Sequence, residues 1–134
     1  MTASGALLMA ALLVAHGLGD FTPLVTARIR QAKAEAGPMR LIALHAGIHA
    51  GLVGLVVLLF SRPAAPVVAL AVGIELTTHF VIDAGRARLG VAMPRFADMR
   101  TNPFWWVLGF DQLLHGLVLI WIAFLVLGAN GSPV

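Results

Sequence analysis

Histidine and acidic residues recur at intervals of four in this sequence, a pattern that suits metal chemistry. The residues that follow it are His16, Asp20, His45, His49, Glu75, His79, Asp83, Asp111 and His115. In an α-helix, a separation of four places both side chains on one face, one turn apart. Imidazole and carboxylate ligands without thiolate favour zinc, iron or manganese, and also cobalt or nickel. The chain has no cysteine, which excludes thiolate sites and disulfides.

The composition indicates the environment in which these residues lie. Of the 134 residues, 60% are hydrophobic and only 11% are charged, whereas a soluble domain is about 45–50% apolar and about 25% charged. A soluble protein this small needs far more polar surface. The composition therefore excludes a soluble enzyme, a nucleic-acid-binding protein and a disordered tail, and it indicates an integral membrane protein in contact with the lipid bilayer.

Four apolar stretches are each long enough to cross the ~30 Å hydrocarbon layer of a bilayer. They cover about residues 4–24, 39–60, 64–84 and 104–128. The short connections make consecutive helices antiparallel neighbours. We expect an all-α, integral membrane four-helix antiparallel bundle that forms a single transmembrane domain, residues 1–134. Because the polar pairs of the first two stretches recur in the last two, the bundle is also expected to consist of two pseudo-symmetric helical hairpins.

The basic residues predict the orientation of the bundle. Seven of the nine lie between stretches one and two or between stretches three and four, Arg40 lies at the first edge of stretch two, and only Arg62 lies at the opposite side. The positive-inside rule places both longer connections in the cytoplasm and both termini outside, in a bacterial inner membrane. This orientation accounts for the positive charge without nucleic acid. Arg86, Arg88, Arg95 and Arg100 are candidates to hold anionic lipid head groups, and the small bundle is compatible with a homodimer or a larger membrane complex.

All five histidines and four of the six acids fall inside the apolar stretches. At 1.5 Å per residue, they lie within about 5–23 Å of the nearest basic residue on the cytoplasmic side, in a single layer. Each carboxylate at a span centre costs about 2.5–3.5 kcal/mol. Apart from Arg40 at the edge of the second stretch, no Lys or Arg lies inside the stretches, so two divalent ions are expected to balance the four acids. A hydrogen-bonded polar core that only joins the helices is the alternative.

Two groups of residues are given different roles in this centre. The expected metal ligands are His16, Asp20, His45, His49, His79, Asp83, Asp111 and His115. Glu75, the deepest acid, is expected to act as a general base or to orient His79, and Gln112 is expected to point elsewhere. Small residues beside the polar positions, including Gly19 and the GxxxG pair Gly47 and Gly51, are expected to let the helices approach closely.

Four ordered motifs carry a family resemblance. They are AHGLGDF at 15–21, HxxxH at 45–49, HFVID at 79–83 and DQLLH at 111–115. With them, nearly the whole chain resembles the small bacterial membrane proteins grouped as domain of unknown function 3307. The resemblance implies a four-span inner-membrane protein without an established activity. A looser similarity is to predicted membrane-bound metal-dependent hydrolases.

The leading interpretation is a metal-dependent hydrolase that acts on a membrane-associated substrate such as a phospholipid. The alternatives are transport or handling of metal ions or protons, a haem or di-iron redox protein, and an accessory subunit of a larger complex. A carrier needs polar residues on both sides of the membrane. The apolar outer halves of these stretches favour a one-sided site.

Overall fold

The computed structural model describes residues 3–131, and these fold into five α-helices and one 3₁₀ turn without a strand. The helices are α1 (Ala3–Phe21), α2 (Ala27–Glu35), α3 (Met39–Phe60), α4 (Ala65–Ala92) and α5 (Asn102–Ala129), and the 3₁₀ turn is Pro94–Phe96. Four of the helices, all except α2, are long and apolar enough to cross a membrane. The expected all-α four-helix architecture is therefore confirmed.

The four long helices pack as a ring. Helix α1 contacts α3 and α5, and α4 likewise contacts α3 and α5. The C-terminal ends of α3 and α5 lie together. There the Asn130 side chain donates hydrogen bonds to the Ser61 carbonyl and hydroxyl oxygens. We call this end of the bundle the terminal end, and the opposite end, which α2 covers, the α2 end.

Helix α2 was not expected, and it decides the charge of the buried polar site. Thr26 caps it by accepting a hydrogen bond from the Ile29 N–H. It ends at Ala36, which adopts the left-handed conformation (φ 46°), and the Gly37 N–H then bonds to the Ala32 carbonyl. The buried Ile29 and Ala32 face the bundle, where α2 packs on α3 and α4.

Helix α4 continues two turns beyond the expected end of its apolar stretch. The run from Arg86 to Leu89 contains good helix formers and no breaker, and the helix stops only before Pro94. Charge ends an apolar stretch but does not end a helix. Arg86 and Arg88 therefore lie on α4 and not in a loop, and Arg86 reaches back toward the bundle interior.

Two apolar clusters enclose the polar residues from both ends. The larger cluster fills the terminal half and includes Leu12, Val57 and Ile122. The smaller one, at the α2 end, joins Ala32, Ile42 and Ala87. The polar side chains lie between these clusters as one buried layer.

Only some of the small residues act as expected. A Cβ on Gly19 would collide with the His49 ring, and a Cβ on Gly54 would lie 2.9 Å from Val72 Cγ2. By contrast, Gly47 and Gly51 are exposed, and a Cβ on either would have nothing within 4 Å. The expectation that this GxxxG pair brings helices of the bundle together is therefore wrong, because the pair faces outward.

Candidate metal centre

The five histidines form one cluster at the centre of the bundle. His79 on α4 is in the middle, with ring centroids 3.8 Å from His49, 4.2 Å from His115, 5.1 Å from His45 and 5.7 Å from His16. All five side chains are buried. Four different helices thus bring the intramembrane histidines of the sequence to one place.

A lysine from α2 lies at the α2 end of this cluster. Lys33 Nζ is 3.0 Å from Asp83 Oδ2, 3.3 Å from Asp20 Oδ1 and 3.1 Å from His45 Nε2. His45 Nε2 itself lies 3.0 Å from Asp20 Oδ1, and His49 Nε2 lies 3.5 Å from the same oxygen. The single charge of the Lys33 ammonium is therefore shared between two carboxylates of the layer.

Glu75 contacts the central histidine from the terminal side. Its Oε1 atom lies 3.1 Å from His79 Nδ1, and both side chains are buried. In a neutral His79, a hydrogen bond donated by Nδ1–H to the carboxylate would leave Nε2 free to bind a cation. This contact is the geometry that an orienting role of Glu75 requires, and both that role and the role of general base stay predictions.

Asp111 is held by polar partners of its own. Its Oδ2 atom accepts hydrogen bonds from Arg86 at 3.3 Å and from Gln112 Nε2 at 3.2 Å. Gln112 Nε2 also donates to Asp20 Oδ2 at 3.0 Å, and the Gln112 carbonyl oxygen lies 3.3 Å from His16 Nε2. The expectation that Gln112 points elsewhere is wrong, since its amide links α1 to α5 inside the site.

Several buried polar atoms of the layer lack a hydrogen-bond partner. Within the part of the chain that the structure describes, these are Nε2 of His49, His79 and His115, Nδ1 of His16 and His45, Oδ1 of Asp83 and Oδ1 of Asp111. One buried polar atom without a partner costs about 1–3 kcal/mol. A cation coordinated by several of these atoms would remove that cost from each of them, so the donor set fits a metal ion.

Three overlapping groups bring ligand atoms within 4.8 Å of one another. They are His16, His49, Glu75 and His79; Asp20, His45, His49 and His79; and His79, Asp83 and His115. We call the first the histidine-rich group and the second the lysine-capped group, because Lys33 touches two of its members. His79 belongs to all three groups, and its two ring nitrogens cannot serve three ions. Asp111 is the one expected ligand outside these groups.

The expectation that no Lys or Arg neutralises the buried acids is wrong. Lys33 pairs with Asp20 and Asp83, and Arg86 pairs with Asp111. With four carboxylates and two cations, the layer carries a net charge of −2 if its histidines are neutral. One divalent ion is enough to cancel that charge, so charge balance does not require two ions.

The sequence contained signals for these residues. Thr26 before the segment and Gly37–Pro38 after it are the start and stop signals of a helix, and Lys33 is the sole lysine of the chain. Gln112 is the one amide between Asn102 and Asn130. Arg86 follows Glu75, His79 and Asp83 on the same continuous helix.

An open cavity connects the layer to the surface at the α2 end. Its volume is about 640 Å³, and its lining includes Asp20, Pro23, Thr26 and Arg30. Asp20 is thus the residue through which the cavity meets the polar layer. Arg30 is held at the rim by a hydrogen bond from its guanidinium to the Val25 carbonyl, 2.8 Å away.

Two of the four arginines expected to meet lipid head groups are engaged elsewhere. Arg86 is paired with Asp111 inside the bundle. Arg100 donates to both carboxylate oxygens of Asp98, and these side-chain hydrogen bonds lower the pKa of Asp98 to about 2. Arg88 and Arg95 are exposed. Binding of lipid head groups therefore remains a proposal for Arg88 and Arg95.

Comparison with known proteins gives one match. The model of the family described as "Protein of unknown function (DUF3307)" matches residues 8–132, a range that contains every residue of the polar layer. No curated protein and no solved structure matches the chain.

Proposed function

The chain belongs to the DUF3307 family, whose description assigns no activity, and we propose a function for it from the geometry of the buried layer. We infer that it is a membrane metalloprotein that binds a divalent transition metal through the histidine cluster. The observation that carries this proposal is the set of buried imidazole nitrogens without partners, three of which are the Nε2 atoms of His49, His79 and His115.

The histidine-rich group is the favoured position for the ion. It offers three imidazoles and one carboxylate, the kind of four-ligand set that zinc binds tetrahedrally. The ion pairs made by Lys33 and Arg86 involve other acids of the layer and none of its members. An ion here would be attracted by the net charge of −2 without first displacing a protein cation.

We further propose that the centre is hydrolytic. A bound transition metal makes water acidic enough to attack at neutral pH. The cavity beside Asp20 gives a substrate a path from the α2 end, and Arg30 at its rim suits an anionic group. The substrate class that fits this position is an anionic amphiphile of the adjoining membrane leaflet, in a bacterial inner membrane with both termini outside.

The packing bears on the alternatives. The apolar cluster of Leu12, Val57 and Ile122 closes the terminal half of the bundle, so the residues on that side provide no polar path for transport. The His49 and His79 rings pack at 3.8 Å, which leaves no space for a porphyrin between them. A one-sided metal centre is therefore favoured over transport and over haem binding.

Elemental analysis of the purified full-length protein tests the metal proposal. We expect about one transition-metal ion per chain in the wild type and none in His79→Gln, which removes the histidine shared by all three groups. Thr78→Ala is the matched control, because the Thr78 hydroxyl bonds only to the backbone of its own helix. Metal content that is equal in wild type and His79→Gln would overturn the proposal.

Hydrolysis is tested separately with anionic phospholipid vesicles. The metal-loaded wild type and Thr78→Ala should release a water-soluble product, and His79→Gln should not. Metal binding without any product would retain the metalloprotein and reject the hydrolase.

A further inference from the structure

Lys33 occupies a position that resembles that of a bound metal ion. Its Nζ atom lies 3.0–3.3 Å from two carboxylate oxygens and one imidazole nitrogen, contributed by α1, α3 and α4. An ammonium group is a compact cation with three donors. Here it meets three acceptor groups, of the same types that bind a transition metal.

Lys33 shares its partners with the lysine-capped group. Asp20 and His45 are members of that group, and both contact Nζ directly. A divalent ion bound to these two residues would lie a few ångströms from the ammonium charge in a buried region, where the repulsion between two cations is strong. An ion and the Lys33 side chain therefore exclude one another at this position.

We propose that Lys33 is a tethered cation that fills the second metal position of the centre. This inference rests on the proposed metal site and adds the number of ions that the site binds. The wild-type centre holds one divalent ion in the histidine-rich group, which takes the shared His49 and His79. Lys33 keeps the remaining ligands, Asp20 and His45 of the lysine-capped group and the adjacent Asp83, closed to a second ion. Helix α2, which is short and covers the end of the bundle, is the element that brings this cation in.

The charges of the layer agree with this assignment. Lys33 and Arg86 reduce the charge of the four carboxylates from −4 to −2, and a single divalent ion then makes the layer neutral. When Lys33 is replaced by an uncharged residue, the charge before metal binding is −3. A second ion can then enter the position that Lys33 occupied, and the more negative charge of the layer attracts it.

Equilibrium dialysis against zinc, and separately against manganese, tests the proposal with the full-length protein in detergent. The wild type should bind one ion per chain and Lys33→Met two. Lys33→Arg, which keeps the charge, should bind one. Arg30→Met is the matched control on the same helix and should also bind one, because Arg30 bonds to the Val25 carbonyl and not to the layer.

The number of bound ions separates the proposal for Lys33 from the proposal for the metal centre. Two ions in the wild type, or one ion of unchanged affinity in Lys33→Met, would overturn the role of Lys33 while leaving the metal centre intact. No ion in any of the variants or in the wild type would overturn both proposals.

A second measurement needs no variant and so does not depend on whether Lys33→Met folds. Because Lys33 is the sole lysine, mass spectrometry after acetylation reports its accessibility directly. We expect slow acetylation both before and after one equivalent of zinc, since the first ion leaves Lys33 in place. A clear rise in acetylation with the first equivalent would show that this ion displaces Lys33, and it would overturn the assignment.

Discussion

At the scale of single residues, the centre depends on close approach and on paired charge. Gly19 allows α1 to lie against the His49 ring, and any side chain at that position would meet the imidazole. Arg86 pairs with the buried Asp111 carboxylate. Both residues act through their neighbours, so their substitution should affect the centre although neither binds the metal.

Gly19→Ala should displace the His49 ring and lower the metal affinity. We also expect a loss of about 1–3 kcal/mol in the free energy of unfolding, the usual range for overpacking. Gly17→Ala is the control, because nothing lies within 4 Å of its Cβ position, and alanine should stabilise the helix there by about 0.5–1 kcal/mol. Thermal unfolding and zinc titration measure both effects. Equal behaviour of the two variants would contradict the role of Gly19.

Arg86→Met should destabilise the protein by about 1–3 kcal/mol, because Asp111 loses its charged partner in a buried site. Arg88→Met should change the free energy of unfolding by less than about 0.5 kcal/mol, since Arg88 is exposed on the same helix. Chemical unfolding in detergent compares the two. If Arg86→Met lost no more free energy of unfolding than Arg88→Met, the Arg86 side chain would not be needed to stabilise the buried Asp111.

At the scale of helices, each long helix presents one polar turn to the centre and an apolar face elsewhere. The i, i+4 spacing sets this arrangement within a helix, and small residues set the distance between helices. Gly54 permits the contact of α3 with Val72 on α4. The outward-facing Gly47 and Gly51 make no such contact with the described part of the chain.

Gly54→Ala should lower the melting temperature, because its Cβ would lie 2.9 Å from Val72 Cγ2 and would force α3 and α4 apart. Gly51→Ala, one turn away, should leave the melting temperature unchanged or raise it. Both are measured on the purified protein in detergent. A drop for Gly51→Ala instead of Gly54→Ala would show that the exposed glycine face packs against a second copy.

At the scale of the whole molecule, the polar layer is closed by apolar packing at the terminal end and by α2 at the other. The cavity beside Asp20 lies at the α2 end. Since this cavity opens at the end that carries most of the basic residues, the function depends on which side of the membrane that end faces. The distribution of basic residues predicts the cytoplasmic side.

Single cysteines test this orientation, and the wild type provides a background without thiols. Arg62→Cys, between α3 and α4, should react with a membrane-impermeant thiol reagent added to intact bacteria. Met99→Cys, between the 3₁₀ turn and α5, should react only after the membrane is permeabilised. Both positions are exposed. The reverse labelling pattern would invert the orientation and place the cavity outside.

Much of the fold and of the layer follows from the sequence because both depend on local patterns. Apolar length predicts the four long helices, and the spacing of residues such as His45 and His49 predicts which side chains share a face. The depth of these residues in antiparallel helices predicts that they meet. The helix formed by Ala65–Ala92 is longer than its apolar stretch because hydropathy marks the membrane and not the end of a helix.

The net charge of the centre was decided by the tertiary structure alone. Lys33 is 13 residues from Asp20 in the chain, and Arg86 is 25 from Asp111, and no spacing rule links residues that far apart. Their pairing depends on how α2 folds over the bundle and how far α4 extends. The sequence by itself determined which residues gather in the membrane. Only the packing of the helices determined that two protein cations lie among them, because long-range contacts depend on the arrangement of whole elements.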